Sequence, residues 1–224
     1  MTRRTNENYK LTPYQELTEE VEDTPEERLS IMSYQISFLT MQFHSILLKR
    51  SSTAAGSRDQ AVPDNTDAQQ HRRTLDDWLV CWKKHLEAIS ESGRPNPLLL
   101  ALGEFHYYHG LYILSKACPT LGVGLVGVCD KMARSCTTVA RCQQVLPTAA
   151  SRGKSPGFIY PVSWAMSHAV FQAALCVLSI REDSYQNGER SIAIRRCLTS
   201  LSLLEADPDN LSTGLTATLE ALCG

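Results

Sequence analysis

Apolar residues recur along this chain at alternating steps of three and four, the spacing that places side chains on one face of an α-helix. The first such stripe follows Thr24, Pro25 and Glu27, a combination typical of a capped helix start. Further apolar residues widen this stripe. The pattern therefore predicts that residues 24–50 form a helix buried in a core rather than an exposed coiled coil, because the stripe of a coiled coil would be narrower. The stripe is Leu29, Met32, Ile36, Leu39, Phe43 and Ile46, and the widening residues are Ile31, Phe38, Leu47 and Leu48.

The same periodicity predicts further helices up to the end of the chain. We expect one to begin at Thr74, with Asp76 and Asp77 in its first turn, where the helix dipole favours acidic residues. Asn96 and Pro97 are a typical start for the next. Later helices are predicted over 122–145, 161–180, 189–205 and from Pro208 onward. Since we find no convincing strand, the predicted fold class is all-α, a single helical domain of six to seven helices.

Two stretches lack this periodicity. Residues 1–23 are polar and end in an acidic cluster, which predicts a flexible N-terminal segment. Residues 51–73 are rich in Ser, Ala, Asp and Gln, which predicts a disordered loop. The predicted organisation is therefore a lead-in over 1–23, an N-terminal helix over 24–50, a loop over 51–73 and a helical domain over 74–224.

Composition places the chain among ordinary globular proteins. Its 224 residues are 43% hydrophobic and 21% charged, and a chain of this size buries about 70% of its unfolded surface. The net charge of −2 provides no general attraction to nucleic acid. The polar start lacks a signal-peptide core, and no apolar run reaches the roughly 20 residues that cross a bilayer. We therefore expect a soluble intracellular protein that does not enter a membrane.

The reactive side chains form no catalytic or metal-binding pattern. Without a secretory signal the eight cysteines are expected to stay reduced. None of them forms a Cys-x-x-Cys pair of the kind that zinc sites use, and we expect Cys129 and Cys136 to pack as small apolar residues. His106 and His109 lie three apart on one helix after Glu104, but zinc needs three or four converging ligands. Phosphate-loop, dinucleotide-binding and Gly-x-Ser-x-Gly motifs are absent. The prediction is a protein without metal, cofactor or enzymatic activity.

Two groups of side chains are candidates for a ligand pocket. The first is His106, Tyr107 and His109 on the helix after Pro97, and the second is Trp164, His168 and Phe171, spaced four and three apart. Each group has the polar and aromatic character of pocket linings. Ordinary core packing is the alternative and the one that the pattern favours, because most aromatic stripes on helices are core.

The order of the helical motifs resembles that of a known family. The segments are 97–109, a Leu-rich helix with a Tyr-His pair, its continuation over 111–114, and 160–178, with its Ser-Trp, His and Phe-x-Ala-x-Leu positions. Together with the Cys- and Ala-rich stretch between them and a later Cys-x-x-x-Leu helix, they resemble the regulatory domain of fungal zinc binuclear-cluster transcription factors. The resemblance covers about residues 75–222. The six-cysteine DNA-binding cluster of that family is missing, since the first 80 residues contain no cysteine.

The resemblance implies a transcription regulator of the fungal-specific type, located in the nucleus or in both cytoplasm and nucleus. It would control a metabolic or secondary-metabolite gene cluster through a protein partner, a DNA-binding regulator or the transcription machinery, without direct sequence-specific DNA binding. Homodimerisation and a small-molecule effector are further properties the family implies. The alternatives are a helical ligand-binding or scaffold protein derived from such a domain and, third, a biosynthetic enzyme.

Overall fold

The computed structural model describes residues 25–54, 65–90, 94–145, 162–180, 188–206 and 213–223, and these form seven α-helices without a β-strand. The helices are α1 (Pro25–Ala54), α2 (Asn65–Ala88), α3 (Pro97–Ala117), α4 (Leu125–Val145), α5 (Val162–Ser179), α6 (Glu189–Glu205) and α7 (Leu215–Cys223), with a 3-10 turn at Pro119–Leu121. The all-α prediction is confirmed for these ranges. The predicted flexible segment at 1–23 lies outside them.

Helices α3 and α4 form the centre of the bundle and pack against each other. Helices α1 and α2 cover α3, whereas α5 and α6 cover α4, and α7 packs against α5 and α6. The buried residues of α4 include several small ones, Cys129, Ala133, Cys136 and Ala140, beside the larger Met132 and Val139. Small side chains allow helix axes to approach closely.

Two tryptophans fix α2 against its neighbours. The Trp78 indole N–H donates to the carbonyl oxygen of Met32 in α1 at 2.9 Å. The Trp82 indole N–H donates to the carbonyl oxygen of Leu99 in α3 at 3.0 Å. The two rings stack with centroids 5.3 Å apart. Because a buried indole N–H without an acceptor is costly, these two hydrogen bonds fix the position of α2 against α1 and α3.

Polar side chains join α4 to α6 at one side of the core. Asp130 accepts from Arg134 one turn later at 3.1 Å and also pairs with Arg196 of α6. The buried hydroxyl of Ser200 donates to the carbonyl oxygen of Ala133 at 2.7 Å. Each of these groups has a partner, so the α4–α6 contact buries polar atoms without leaving them unsatisfied.

The predicted loop at 51–73 is wrong at both ends. Helix α1 continues to Ala54, and α2 begins at Asn65, so only residues 55–64 fall between them, outside the described ranges. Ala68 is 1% exposed and lies on the same inner face as Leu75. An alanine among Asp, Gln and Arg residues is a weak apolar signal, which is why the pattern failed to predict this part of α2.

The predicted helix start at Thr74 is wrong for the same reason. Thr74 lies inside α2, where its hydroxyl donates to the carbonyl oxygen of Gln70 at 3.0 Å. Asp76 and Asp77 therefore do not occupy a first turn. A threonine followed by acidic residues fits a helix start and a helix interior equally well when tertiary packing extends the helix.

The last helix begins later than predicted. Pro208 lies outside the described ranges, and α7 starts at Leu215, directly after Gly214, whose φ is +82°. A carboxylate oxygen of Glu205, at the end of α6, accepts from the backbone N–H groups of Leu215 and Thr216 at 2.7 and 3.1 Å. This cap comes from another helix, so local sequence could not predict it.

Helix α1 has two apolar faces rather than one wide face. The predicted stripe from Leu29 to Phe43 is buried against α2 and α3. Three of the four residues expected to widen it, Ile31, Phe38 and Leu48, are exposed. The expectation of a wholly buried helix was wrong because α1 packs against the bundle from one side. No helix in the described part of the chain is long and apolar enough to cross a lipid bilayer.

Candidate functional site

The first predicted group lies where α3 faces α1. The imidazole of His109 stacks on Phe105 with centroids 5.8 Å apart and an angle of 23° between the planes. His44 of α1 approaches it edge to face at 6.2 Å. His106 lies on the other side of Phe105, with centroids 5.7 Å apart. Three imidazoles and one phenyl ring therefore form a cluster between the two helices, which we call the histidine cluster.

Burial in the histidine cluster keeps its α3 imidazoles uncharged. Loss of hydration lowers the pKa of His106 from 6.5 to about 4. For His109, burial and repulsion from His106 and His44 lower the pKa to about 3. Burial alone also lowers the pKa of His44. At neutral pH these side chains are neutral rings that pack, and no group of three or more His, Cys, Asp or Glu residues within the described ranges is placed to hold a metal ion.

Tyr107 points away from the histidine cluster toward α2. Its hydroxyl donates to a carboxylate oxygen of Asp76 at 2.6 Å. Burial, followed by this hydrogen bond and the negative charge of Asp76, raises the pKa of Tyr107. One turn earlier along α3, Glu104 pairs with Lys83 of α2 at 2.9 Å. These polar contacts set the register between α2 and α3. They could not be predicted from the sequence, because charged residues that pair between two helices have no regular spacing along the chain.

The second predicted group lies on α5, apart from the first. Trp164 is 56% exposed, and its ring lies 4.5 Å from that of His168. Phe171 continues this face and is half-buried. The core face of α5 consists instead of smaller residues, namely Met166, Ala169, Val170, Ala173, Ala174 and Val177. The favoured expectation of core packing is therefore wrong for Trp164, which lies largely at the surface.

A cleft of about 300 Å³ lies where α3, α4 and α5 meet. It is lined by Ser115, Lys116, Cys118, Pro119, Val123, Leu125 and Cys176. The Lys116 ammonium lies 3.5 Å from the hydroxyl of Tyr112 and 5.4 Å from the centre of its ring. The cleft is mostly apolar with one cation at its edge, and it approaches the lower size limit of ligand pockets, roughly 300 Å³. None of the six predicted pocket residues lines it.

The thiols nearest the centre of the bundle are buried. Cys129, Cys136 and Cys197 are each 0% exposed. Burial is the main cause that raises the pKa of Cys129 and Cys136, and neighbouring thiols raise it further. Burial and the negative charge of Asp130 raise the pKa of Cys197 to about 12. A thiolate is the reactive form of cysteine. These three residues therefore stay protonated at neutral pH and serve as packing groups, as predicted for Cys129 and Cys136.

Comparison of the chain with protein-family models, with curated proteins and with solved structures gave no match. The likeness to the fungal regulatory domain thus rests on the motif residues themselves. The segments that carry the resemblance lie on α3, α4, α5 and α6, and the other three helices pack on α4.

Proposed function

We propose that this chain is a helical regulator of transcription that acts through a protein partner and catalyses no reaction. The observation that carries the proposal is the use of its reactive side chains. The imidazoles of His106 and His109 are neutral packing groups, and the thiols of Cys129, Cys136 and Cys197 are buried and protonated. A nucleophile or general base would need the opposite: an accessible group whose pKa suits proton transfer near neutral pH.

The motif residues support the choice of transcription among non-catalytic roles. The helices that carry them are α3, α4, α5 and α6, of which α4 is the central one against which the others pack. Because residues 1–80 contain no cysteine and the net charge is −2, we assign contact with DNA to the partner, either a DNA-binding regulator or a component of the transcription machinery. The site of action is the nucleus, and the target is a metabolic or secondary-metabolite gene cluster.

Chromatin immunoprecipitation of the tagged full-length chain tests this proposal. We expect enrichment at a defined set of promoters, together with altered transcripts of the same genes when the chain is deleted. An untagged strain is the control for background. A substituted chain with His106→Gln and His109→Gln tests the enzyme alternative, since loss of a defined catalytic activity with intact folding would revive it. Absence of promoter enrichment with normal expression would remove the regulator proposal.

The cleft beside Lys116 favours one second candidate function, the binding of a small apolar anion. An apolar wall with a single cation suits a molecule with a hydrocarbon body and one carboxylate. Ligand at about 100 times its Kd would stabilise the fold by about 2.7 kcal/mol. Thermal unfolding with a series of medium-chain carboxylates measures this effect, and Lys116→Met should abolish it. Equal stabilisation of both proteins would exclude the cleft as the binding site.

A further inference from the structure

Helix α1 exposes a continuous row of large apolar side chains on the side opposite its buried stripe. The row consists of Ile31, Tyr34, Phe38, Met41 and Leu48, and we call it the outer stripe. Tyr34 is 78% exposed and Leu48 is 69% exposed. Single exposed apolar residues are common on proteins, but a contiguous row marks an interaction surface.

The spacing of the outer stripe is that of a coiled-coil seam. Positions 31, 34, 38, 41, 45 and 48 are separated alternately by three and four residues, and only Ser45 is not a large apolar residue. Such a narrow a/d repeat packs against one partner helix by inserting knobs into holes. The stripe extends over 18 residues, or roughly 27 Å of helix. The shape of the surface therefore specifies a long helix as its occupant.

From these observations we infer that the outer stripe pairs with the outer stripe of a second copy of this chain. The exposed fractions of its five apolar residues add up to about three whole side chains, or roughly 600 Å² at about 200 Å² for each large side chain. Two copies would bury roughly 1,200 Å² in total, which reaches the range of specific protein–protein interfaces.

Charge favours self-pairing over pairing with a different helix. Residues 31–48 contain no Asp, Glu, Lys or Arg, so two copies of this segment meet without like-charge repulsion. Charged residues flanking a seam normally select a foreign partner, whereas the flanking positions here include Gln35, Ser37 and Gln42. In charge, the segment is therefore compatible with a second copy of itself, and it has no flanking charges that would select a helix of different sequence.

Side-chain size specifies an antiparallel pair. When the two helices run in opposite directions with Phe38 facing Met41 of the other copy, Tyr34 faces the small Ser45, and Ile31 faces Leu48. Large residues then lie opposite small ones, and the sulfur of Met41 contacts an aromatic ring. A parallel pair would instead place Ser45 against Ser45 and leave a gap in the seam. This inference is independent of any role in transcription.

Sedimentation velocity of the full-length chain tests the inference. We expect a dimer at about 100 μM, a concentration high enough to populate the weak dimer that an interface of roughly 1,200 Å², at the lower end of the specific range, would form. The double substitution Phe38→Glu and Met41→Glu should yield a monomer with unchanged far-UV circular dichroism. Val80→Glu and Ile192→Glu are matched controls, since these residues are 51% and 50% exposed on other helices, and both should remain dimeric.

A monomeric wild-type protein at this concentration would overturn the inference, as would a dimer that survives the double substitution. The first result would leave the outer stripe to a helix of another protein.

Cross-linking then tests whether the two paired helices run in opposite directions. Tyr34→Cys combined with Ser45→Cys should form an intermolecular disulfide, whereas Tyr34→Cys alone should not, because its two copies would lie roughly 16 Å apart along the axis. The wild-type chain controls for Cys223, which is exposed. A disulfide through Tyr34→Cys alone would overturn the antiparallel arrangement.

Discussion

Gly103 lets the indole of Trp82 lie directly against the backbone of α3. A Cβ atom added at Gly103 would lie 2.2 Å from the Trp82 Nε1 atom and 2.4 Å from its Cδ1. Favourable contacts between non-bonded atoms need about 3.5–4.0 Å. The substitution Gly103→Ala must therefore displace the ring, and the ring's hydrogen bond to the Leu99 carbonyl, at 3.0 Å, would be lost with it.

The loss in the free energy of unfolding follows from three contributions. Overpacking a core costs about 1–3 kcal/mol, and leaving a buried N–H without an acceptor costs a further 1–3 kcal/mol, roughly. Alanine in place of glycine in a helix interior recovers about 1 kcal/mol. Together these ranges give a net loss of about 1–5 kcal/mol for Gly103→Ala, with a central value of about 3 kcal/mol. At a urea slope of about 2 kcal/mol per M, the central value lowers the unfolding midpoint by about 1.5 M.

Urea titration at neutral pH, followed by far-UV circular dichroism, measures this change. Gly127→Ala is the matched control, because Gly127 lies in α4 with no atom within 4 Å of an added Cβ. There the substitution should stabilise the protein by up to about 1 kcal/mol. Gly110→Ala is intermediate, since the nearest atom, on Leu75, lies 3.2 Å from the added Cβ.

The reasoning fails if Gly103→Ala stabilises the protein as Gly127→Ala does. A double-mutant cycle adds a second criterion. In the Trp82→Phe background neither the indole nitrogen nearest the added Cβ nor its hydrogen bond to Leu99 is present, so Gly103→Ala should cost less there. Strict additivity of the two substitutions would show that the contact between Trp82 and Gly103 does not cause the loss.

Three further predictions concern charge, thiol reactivity and capping. Burial lowers the folded-state pKa of His106 and His109 below 6.5, so the unfolded chain binds protons more readily. Stability should be complete above about pH 6.5 and fall on acidification by up to about 1.4 kcal/mol per histidine per pH unit; replacement of both by Gln should flatten this dependence in urea titrations. A thiol reagent should label exposed Cys223 within the native state and Cys136 only after unfolding, as peptide mapping can measure. Glu205→Ala removes the acceptor at the start of α7 and should cost about 1 kcal/mol; an unchanged thermal midpoint would refute this role for the carboxylate.

Helix positions in the chain were predictable where apolar spacing and local caps agree. Asn96 and Pro97 begin α3 as expected, and the Asn96 side chain accepts from the backbone N–H of Leu98. The bounds of α6 also match the prediction, because its apolar repeat ends where the chain turns. Where the signal was a small residue such as Ala68, the start of α2 was predicted nine residues late, at Thr74 instead of Asn65.

The candidate site was less predictable than the helices. The sequence placed His106 and His109 on one helix, but the position of His44 beside His109 depends on how α1 crosses α3. The cleft beside Lys116 likewise combines residues from three helices. Contacts between residues far apart in sequence carry no periodic signal, so they could not be derived from spacing.

The sequence by itself determined that this chain is helical, because its apolar residues recur at the 3.6-residue period that places side chains along one face of a helix. Only the tertiary structure decided which of two apolar stripes on α1 enters the core. Both stripes have the same three-and-four spacing, so spacing alone does not show that one of them stays exposed. The choice depends on which face fits α2 and α3, a matter of shape between helices, and it leaves the outer stripe exposed.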